Sequence, residues 1–102
     1  MSDIQIFEIV KDNPIVKEFL DTNRDYEFLV NGPFQKTELE RIIEEYPGFF
    51  NFSKDEIKNK EINVYSILFI SRKIQLKGYS KLKIYLDLTI FDNPNILKII
   101  KS

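Results

Sequence analysis

Four carboxylates crowd one short stretch of this chain, Glu38, Glu40, Glu44 and Glu45, with Arg41 among them. Glu40 and Glu44 stand one helical turn apart, a spacing at which two carboxylates can hold a hard cation or share a proton. No Asp-rich loop adjoins them, so as a metal or acid–base centre the pair is weak. Arg41 and Glu45 at i, i+4 read as a surface ion pair. Projected from a helix, the same charges could plug a basic cleft in another macromolecule, such as a nuclease active site.

A second group is basic: Arg72, Lys73, Lys77, Lys81 and Lys83, with no acid between them and with Tyr79 and Tyr85 interleaved. Such a ribbon could follow phosphates while its tyrosines stack on bases. Lysines on exposed strands also keep sheet edges from pairing with other chains, which needs no ligand at all. Phosphate-driven affinity usually rests on more neutralising charges than these and on a basic domain. A third group, Tyr46, Phe49, Phe50 and Phe52, fills the core or leaves one or two rings exposed as interface anchors.

Histidine and cysteine are both absent. Their absence removes thiol nucleophiles, disulfides, the commonest transition-metal ligands and the commonest general base near neutral pH. There is no Gly-rich phosphate loop, nucleophile elbow or EF-hand loop. The expectation is no catalytic residue, no metal site and no cofactor, hence a chain that is not an enzyme.

The net charge of −1 conceals an asymmetry, for residues 1–61 carry −6 and residues 62–102 carry +5. Segregated charge suits electrostatically steered association. The 102 residues suit one globular domain over 1–102, and 43 % apolar with 30 % charged residues is ordinary for a folded chain. The start, Met1-Ser2-Asp3-Ile4-Gln5, has no basic n-region or apolar h-region, and no run approaches the ~20 residues of a membrane span. The expectation is a cytoplasmic protein with no membrane partner.

These groups must be positioned by short elements. Residues 4–10 are β-prone, although Ser2 with Gln5 also spells a helix capping box, and a strand is the expected form. Asn13-Pro14 opens a helix over 14–22 with Ile15, Val16, Phe19 and Leu20 as its stripe. Residues 26–30 form a brief strand stopped by Asn31-Gly32-Pro33. Thr37 with Glu40 caps a helix bearing Leu39, Ile42, Ile43 and Tyr46, ended by Pro47-Gly48, and Ser53 with Glu56 caps a shorter one to about Lys60.

From Ile62 the period becomes two: Ile62, Val64, Leu68, Ile70, Ile74 and Leu76 share a parity, as do Leu82, Ile84, Leu86, Leu88 and Ile90. Tyr65, Ile67, Phe69 and Phe91 add apolar residues on the other parity, which implies a base covered on both sides and a solvated tip. Asp92-Asn93-Pro94 reads as the start of a last helix with Ile96, Leu97, Ile99 and Ile100.

The fold class expected is α+β, an antiparallel sheet built around a long C-terminal β-hairpin (about 62–76 and 81–91) with three to four short helices on it. The alternative is a winged helix-turn-helix, with the helix from Ser53 running on through Leu68 and residues 74–88 as the wing. The function expected is a small non-enzymatic protein-binding module that occludes a macromolecular partner. Its concrete form is a toxin-neutralising immunity protein or phage-type inhibitor, using the acidic helix or the basic hairpin. The alternative is a nucleic-acid-binding regulator using the basic hairpin.

Overall fold

In a computed structural model, residues 1–73, 78–90 and 92–102 are described. The helices are α1 (Asp3–Val10), α2 (Pro14–Thr22), α3 (Lys36–Glu45) and α4 (Lys54–Asn59). The strands are β1 (Tyr26–Asn31), β2 (Val64–Ser71), β3 (Lys81–Asp87) and β4 (Asn95–Lys101), in one antiparallel sheet of order β1-β2-β3-β4. The class is therefore α+β. Two compact units divide the chain: Met1–Val30, Ile67–Ile84 and Ile99–Ser102 form the first, and Asn31–Ser66 and Tyr85–Lys98 the second.

In the first unit, helix starts are fixed by side chains. Ser2 Oγ accepts from Gln5 N–H while Gln5 Oε1 accepts from Ser2 N–H, the reciprocal box that opens α1. Asn13 Oδ1 accepts from Ile15 N–H at 3.0 Å, with Pro14 at the first helical position of α2. Asn23, itself buried, donates from Nδ2 to Phe19 O at 2.9 Å and satisfies the far end of α2. The core is Ile6, Val10, Val16, Phe19, Ile67, Phe69, Leu82 and Ile84. Phe69 is its hub, with the rings of Phe7, Phe19, Tyr26 and Phe28 at centroid distances from 6.0 to 6.4 Å.

In the second unit, Ser53 and Glu56 form the capping box of α4, and Leu39 of α3 and Ile57 of α4 are fully buried. The ring of Tyr85 meets Phe34, Phe49 and Phe50 at 6.0, 5.3 and 5.5 Å, and Lys98 Nζ lies 5.3 Å over Phe49. Phe50 is buried, Phe49 and Phe52 are half-buried, and Tyr46 stays 60 % exposed, so the aromatic run is core with one exposed ring. Gly32 has φ +130°, and a Cβ there would lie 2.8 Å from Tyr65 Cδ2 and 2.9 Å from Val64 O, so only glycine fits. The Gly32–Pro33 peptide is cis.

Several elements differ from the sequence reading. Residues 4–10 are helix, because the Ser2–Gln5 box forms and buries Ile6 and Val10 at i, i+4 while Ile4 is left 68 % exposed. The last helix is instead β4. Ser102 N–H donates to Lys81 O and Lys81 N–H to Ser102 O, both at 3.0 Å, so pairing with β3 overrides the Asn93-Pro94 start signal. The N-cap of α3 is Gln35, whose N–H is taken by Glu38, two residues before the expected Thr37.

β3 ends at Asp87, where Oδ1 accepts from Thr89 N–H and Oγ1 and turns the chain, so Leu88 and Ile90 leave the strand. The winged alternative needs a helix through Leu68, whereas α4 ends at Asn59 and Val64–Ser71 are strand. Ile74, Gln75, Leu76 and Lys77, and Phe91, lie outside the described residues, and with them the turnward end of the expected first hairpin strand.

Candidate functional site

The backbone register of the first unit decides which side chains share a surface. Ser71 N–H donates to Ser80 O at 2.8 Å and Arg72 N–H to Asp25 O at 3.0 Å. Because side chains alternate along a strand, Phe69 and Leu82 point one way while Leu68, Ile70, Lys81 and Lys83 point the other. Tyr26 and Phe28 follow Phe69, which sends Glu27 and Leu29 to the Leu68 side. The Lys81–Ser102 pairing sets Ile100 beside Lys83.

The two faces differ in cover. Phe7 of α1 and Phe19 of α2 both pack on the Phe69 face. On the other, Leu29 is 55 % exposed and Leu68, Ile70 and Ile100 are half-buried, with Lys81 exposed and Lys83 half-buried along one flank. Leu29 of β1 thus adjoins Leu68 and Ile70 of β2, while Ile100 of β4 is set apart from them by Lys81 and Lys83 of β3; a part-exposed apolar patch of this kind marks an interaction site.

The residues singled out from sequence are distributed differently. Arg72 is engaged, its guanidinium 3.1 Å from Asp25 Oδ1 and 3.7 Å from Glu27 Oε2. Tyr79 is stacked 5.5 Å from Phe19, with Lys101 Nζ 5.2 Å from its ring, so its ring is already engaged within the unit. Lys73 borders a polar cleft of about 520 Å³ with Asp21, Asn23, Arg24, Asp25 and Ser71. Tyr85, one of the expected binding residues, is 8 % exposed, its ring packed against three phenylalanines. Lys77 lies outside the described residues. Of the basic group, Lys81 and Lys83 share the open face.

On α3 the acids mostly have local work. Glu38 caps Gln35 N–H at 3.1 Å, Glu45 pairs with Arg41 at 3.9 Å, and Glu44 pairs with Lys54 of α4. Glu40 is half-buried. Among the described residues no group of three or more Asp or Glu could hold a metal ion. Among them, too, no helix is long and apolar enough to cross a membrane.

The Glu44 carboxyl is held below its ordinary range, first by the hydrogen bond from Lys54 and then by that ammonium's charge. A depressed carboxylate contributes stability above its unfolded-state pKa, about 4.3, and loses it as pH falls through the folded value. Glu44→Gln is therefore expected to lower stability near pH 7 slightly, since the pair is exposed and screened, and to converge with the parent once that carboxyl is protonated. Its decline below about pH 4.3 should be shallower than that of the parent. Urea midpoints across the acid range check this, and parallel curves would refute it.

Leu29, Leu68, Ile70 and Ile100 were not singled out as binding residues from sequence. The available signal was the apolar excess on both parities of β2, which reads as burial on both sides. Compared with known proteins, the chain matches no family model, no curated protein and no solved structure, so the open face is the ground on which a function is read.

Proposed function

We propose that this chain is a small non-enzymatic module that binds and occludes a protein partner through the sheet face of its first unit opposite Phe69. One observation carries the reading: Leu29, 55 % exposed, and the half-buried Leu68 and Ile70 form an apolar patch on β1 and β2 beside Lys81 and Lys83 of β3. An apolar centre with a charged flank is the anatomy of a protein interface, the centre supplying affinity and the flank steering and register. The lysine flank favours an acidic partner surface. A toxin-neutralising immunity protein or phage-type inhibitor is the concrete form, with the expected hairpin of residues 62–76 and 81–91 presenting the face.

Nucleic-acid binding is less supported, because Arg72 is paired with acids and Tyr79 and Tyr85 are packed against rings. The test is Leu29→Asp in a tagged capture from nuclease-treated lysate. Leu29 is exposed, so stability should stay within about 0.5 kcal/mol of the parent. The complex should weaken at least about tenfold, because a carboxylate is then buried in an apolar contact without a partner. Undiminished capture by Leu29→Asp, or recovery of nucleic acid instead of protein, would overturn the reading.

A further inference from the structure

β1 stands at one end of the sheet order, so one side of its backbone has no strand beside it. Arg72 N–H donates to Asp25 O, and Gly32 lies against Tyr65. Both contacts set Glu27 opposite Ile70 and Leu29 opposite Leu68 as hydrogen-bonded pairs of the β1–β2 ladder. Bonded and non-bonded positions alternate in an antiparallel ladder, so the N–H and C=O of Phe28 and Val30 point away from β2. Among the described residues these outward groups meet no other backbone. We infer that this edge pairs with the same edge of a second copy of the chain, giving a two-fold dimer centred on Leu29.

An open strand edge calls for another strand, because an extended backbone is what takes up its row of donors and acceptors in register. Folded proteins commonly blunt such edges with lysine or proline. The opposite end of the sheet carries exposed Lys98 and Lys101 on β4. β1 has neither residue type: it reads Tyr26-Glu27-Phe28-Leu29-Val30-Asn31, and its one charge, Glu27, is engaged with Arg72 at 3.7 Å.

The occupant follows from the register. Centring the two-fold axis on Glu27 opposes like carboxylates, and centring it on Phe28 or Val30 sets Leu29 against Glu27 or Asn31. Centred on Leu29, Phe28 of each copy exchanges both backbone hydrogen bonds with Val30 of the other, Leu29 meets Leu29, and Glu27 falls opposite the polar Asn31. Each side chain from Glu27 to Asn31 then has a counterpart of its own kind, the condition under which cross-strand pairs stabilise a sheet. That self-complementarity is what an isologous contact needs, and it selects a second copy over an unrelated strand.

Exposure agrees. Leu29 is 55 % exposed, and Phe28 and Val30 are half-buried, so each has surface left for the other copy to cover. The two Leu29 residues form a non-hydrogen-bonded pair, the kind in which side chains approach most closely. The same axis brings the Leu29, Leu68 and Ile70 patches of the two copies side by side on one surface.

Pairing over so few residues makes a small interface, so monomer and dimer should interconvert with a Kd of about 10–500 µM. Sedimentation equilibrium of the purified parent from about 5 µM to about 1 mM should show the weight-average mass climbing from one copy toward two. The chain has no cysteine, so a single introduced thiol reports the register. In Leu29→Cys the facing Cα atoms stand about 4.5 Å apart, within the disulfide range of about 4.4–6.8 Å. In Glu27→Cys the thiols are out of step by about four positions, roughly 13 Å along the strand. Under oxidised glutathione, Leu29→Cys should form covalent dimer at least about tenfold faster than Glu27→Cys.

A parent that stays monomeric throughout, equal cross-linking of the two variants, or faster cross-linking of Glu27→Cys would overturn the inference. Both experiments use the purified chain alone, which separates them from the capture experiment above. A parent that dimerises but captures nothing keeps the edge contact and loses the functional reading; a monomeric parent that captures a protein does the reverse.

Discussion

Replacement of Phe69 by alanine is expected to cost about 3–5 kcal/mol, the range for removing a buried aromatic ring from a core that cannot fully collapse. Phe69 is fully buried on β2, and four rings lean on it from α1, α2 and β1. Each such contact is an aromatic pair whose geometry contributes beyond the area it covers. Set against a typical total of about 5–15 kcal/mol, the loss leaves a large unfolded fraction in ordinary buffer. Urea denaturation of Phe69→Ala beside Phe69→Leu checks it. The leucine variant should recover more than half of the deficit, and an alanine variant within about 1 kcal/mol of the parent would show that Phe69 is not the hub.

Tyr85→Ala is expected to be of the same size, about 3–5 kcal/mol, but in the second unit. Its ring is enclosed by Phe34, Phe49 and Phe50, and Phe49 in turn carries Lys98 above it. The informative comparison is Tyr85→Phe, which keeps the ring and deletes the hydroxyl. It should cost no more than about 1.5 kcal/mol, the scale of one hydrogen bond. Partner affinity of Tyr85→Phe should equal that of the parent, because the ring faces the interior. A Tyr85→Phe protein that folds normally yet loses its partner would return Tyr85 to the interface.

How much of this could be read beforehand depends on whether a signal was local. Asn13 with Pro14 and Ser53 with Glu56 were legible because a cap needs only neighbours in sequence, and both helices form where those residues put them. Ser2 with Gln5 carried the same kind of signal, but Ile4, Ile6, Phe7, Ile9 and Val10 also look β-prone, and the capped helix prevailed. β4 was illegible for the opposite reason. Ile96, Leu97, Ile99 and Ile100 fit a helical period, yet they lie beside β3, and no local residue announces a pairing that depends on Lys81.

The site follows the same logic. Charge groups are visible in a sequence, whereas their neutralisation is not: Arg72 meets Asp25 and Glu27 only through the register of β1 on β2. Leu68 and Ile70 were read as apolar, and correctly so, but whether an apolar parity is covered is decided by where α1 and α2 land.

The stacking of tyrosines on phenylalanine rings in both units has a spectroscopic consequence. The chain contains five tyrosines and no tryptophan, so its ultraviolet absorption and emission above the phenylalanine bands come from tyrosine alone. Tyr79 sits between Phe19 and Lys101 in the first unit, and Tyr85 among three phenylalanines in the second. Biosynthetic labelling with 3-fluorotyrosine thus places ¹⁹F reporters in both units, and once the five resonances are assigned by Tyr→Phe substitution, those of Tyr79 and Tyr85 follow the two units through one denaturant series.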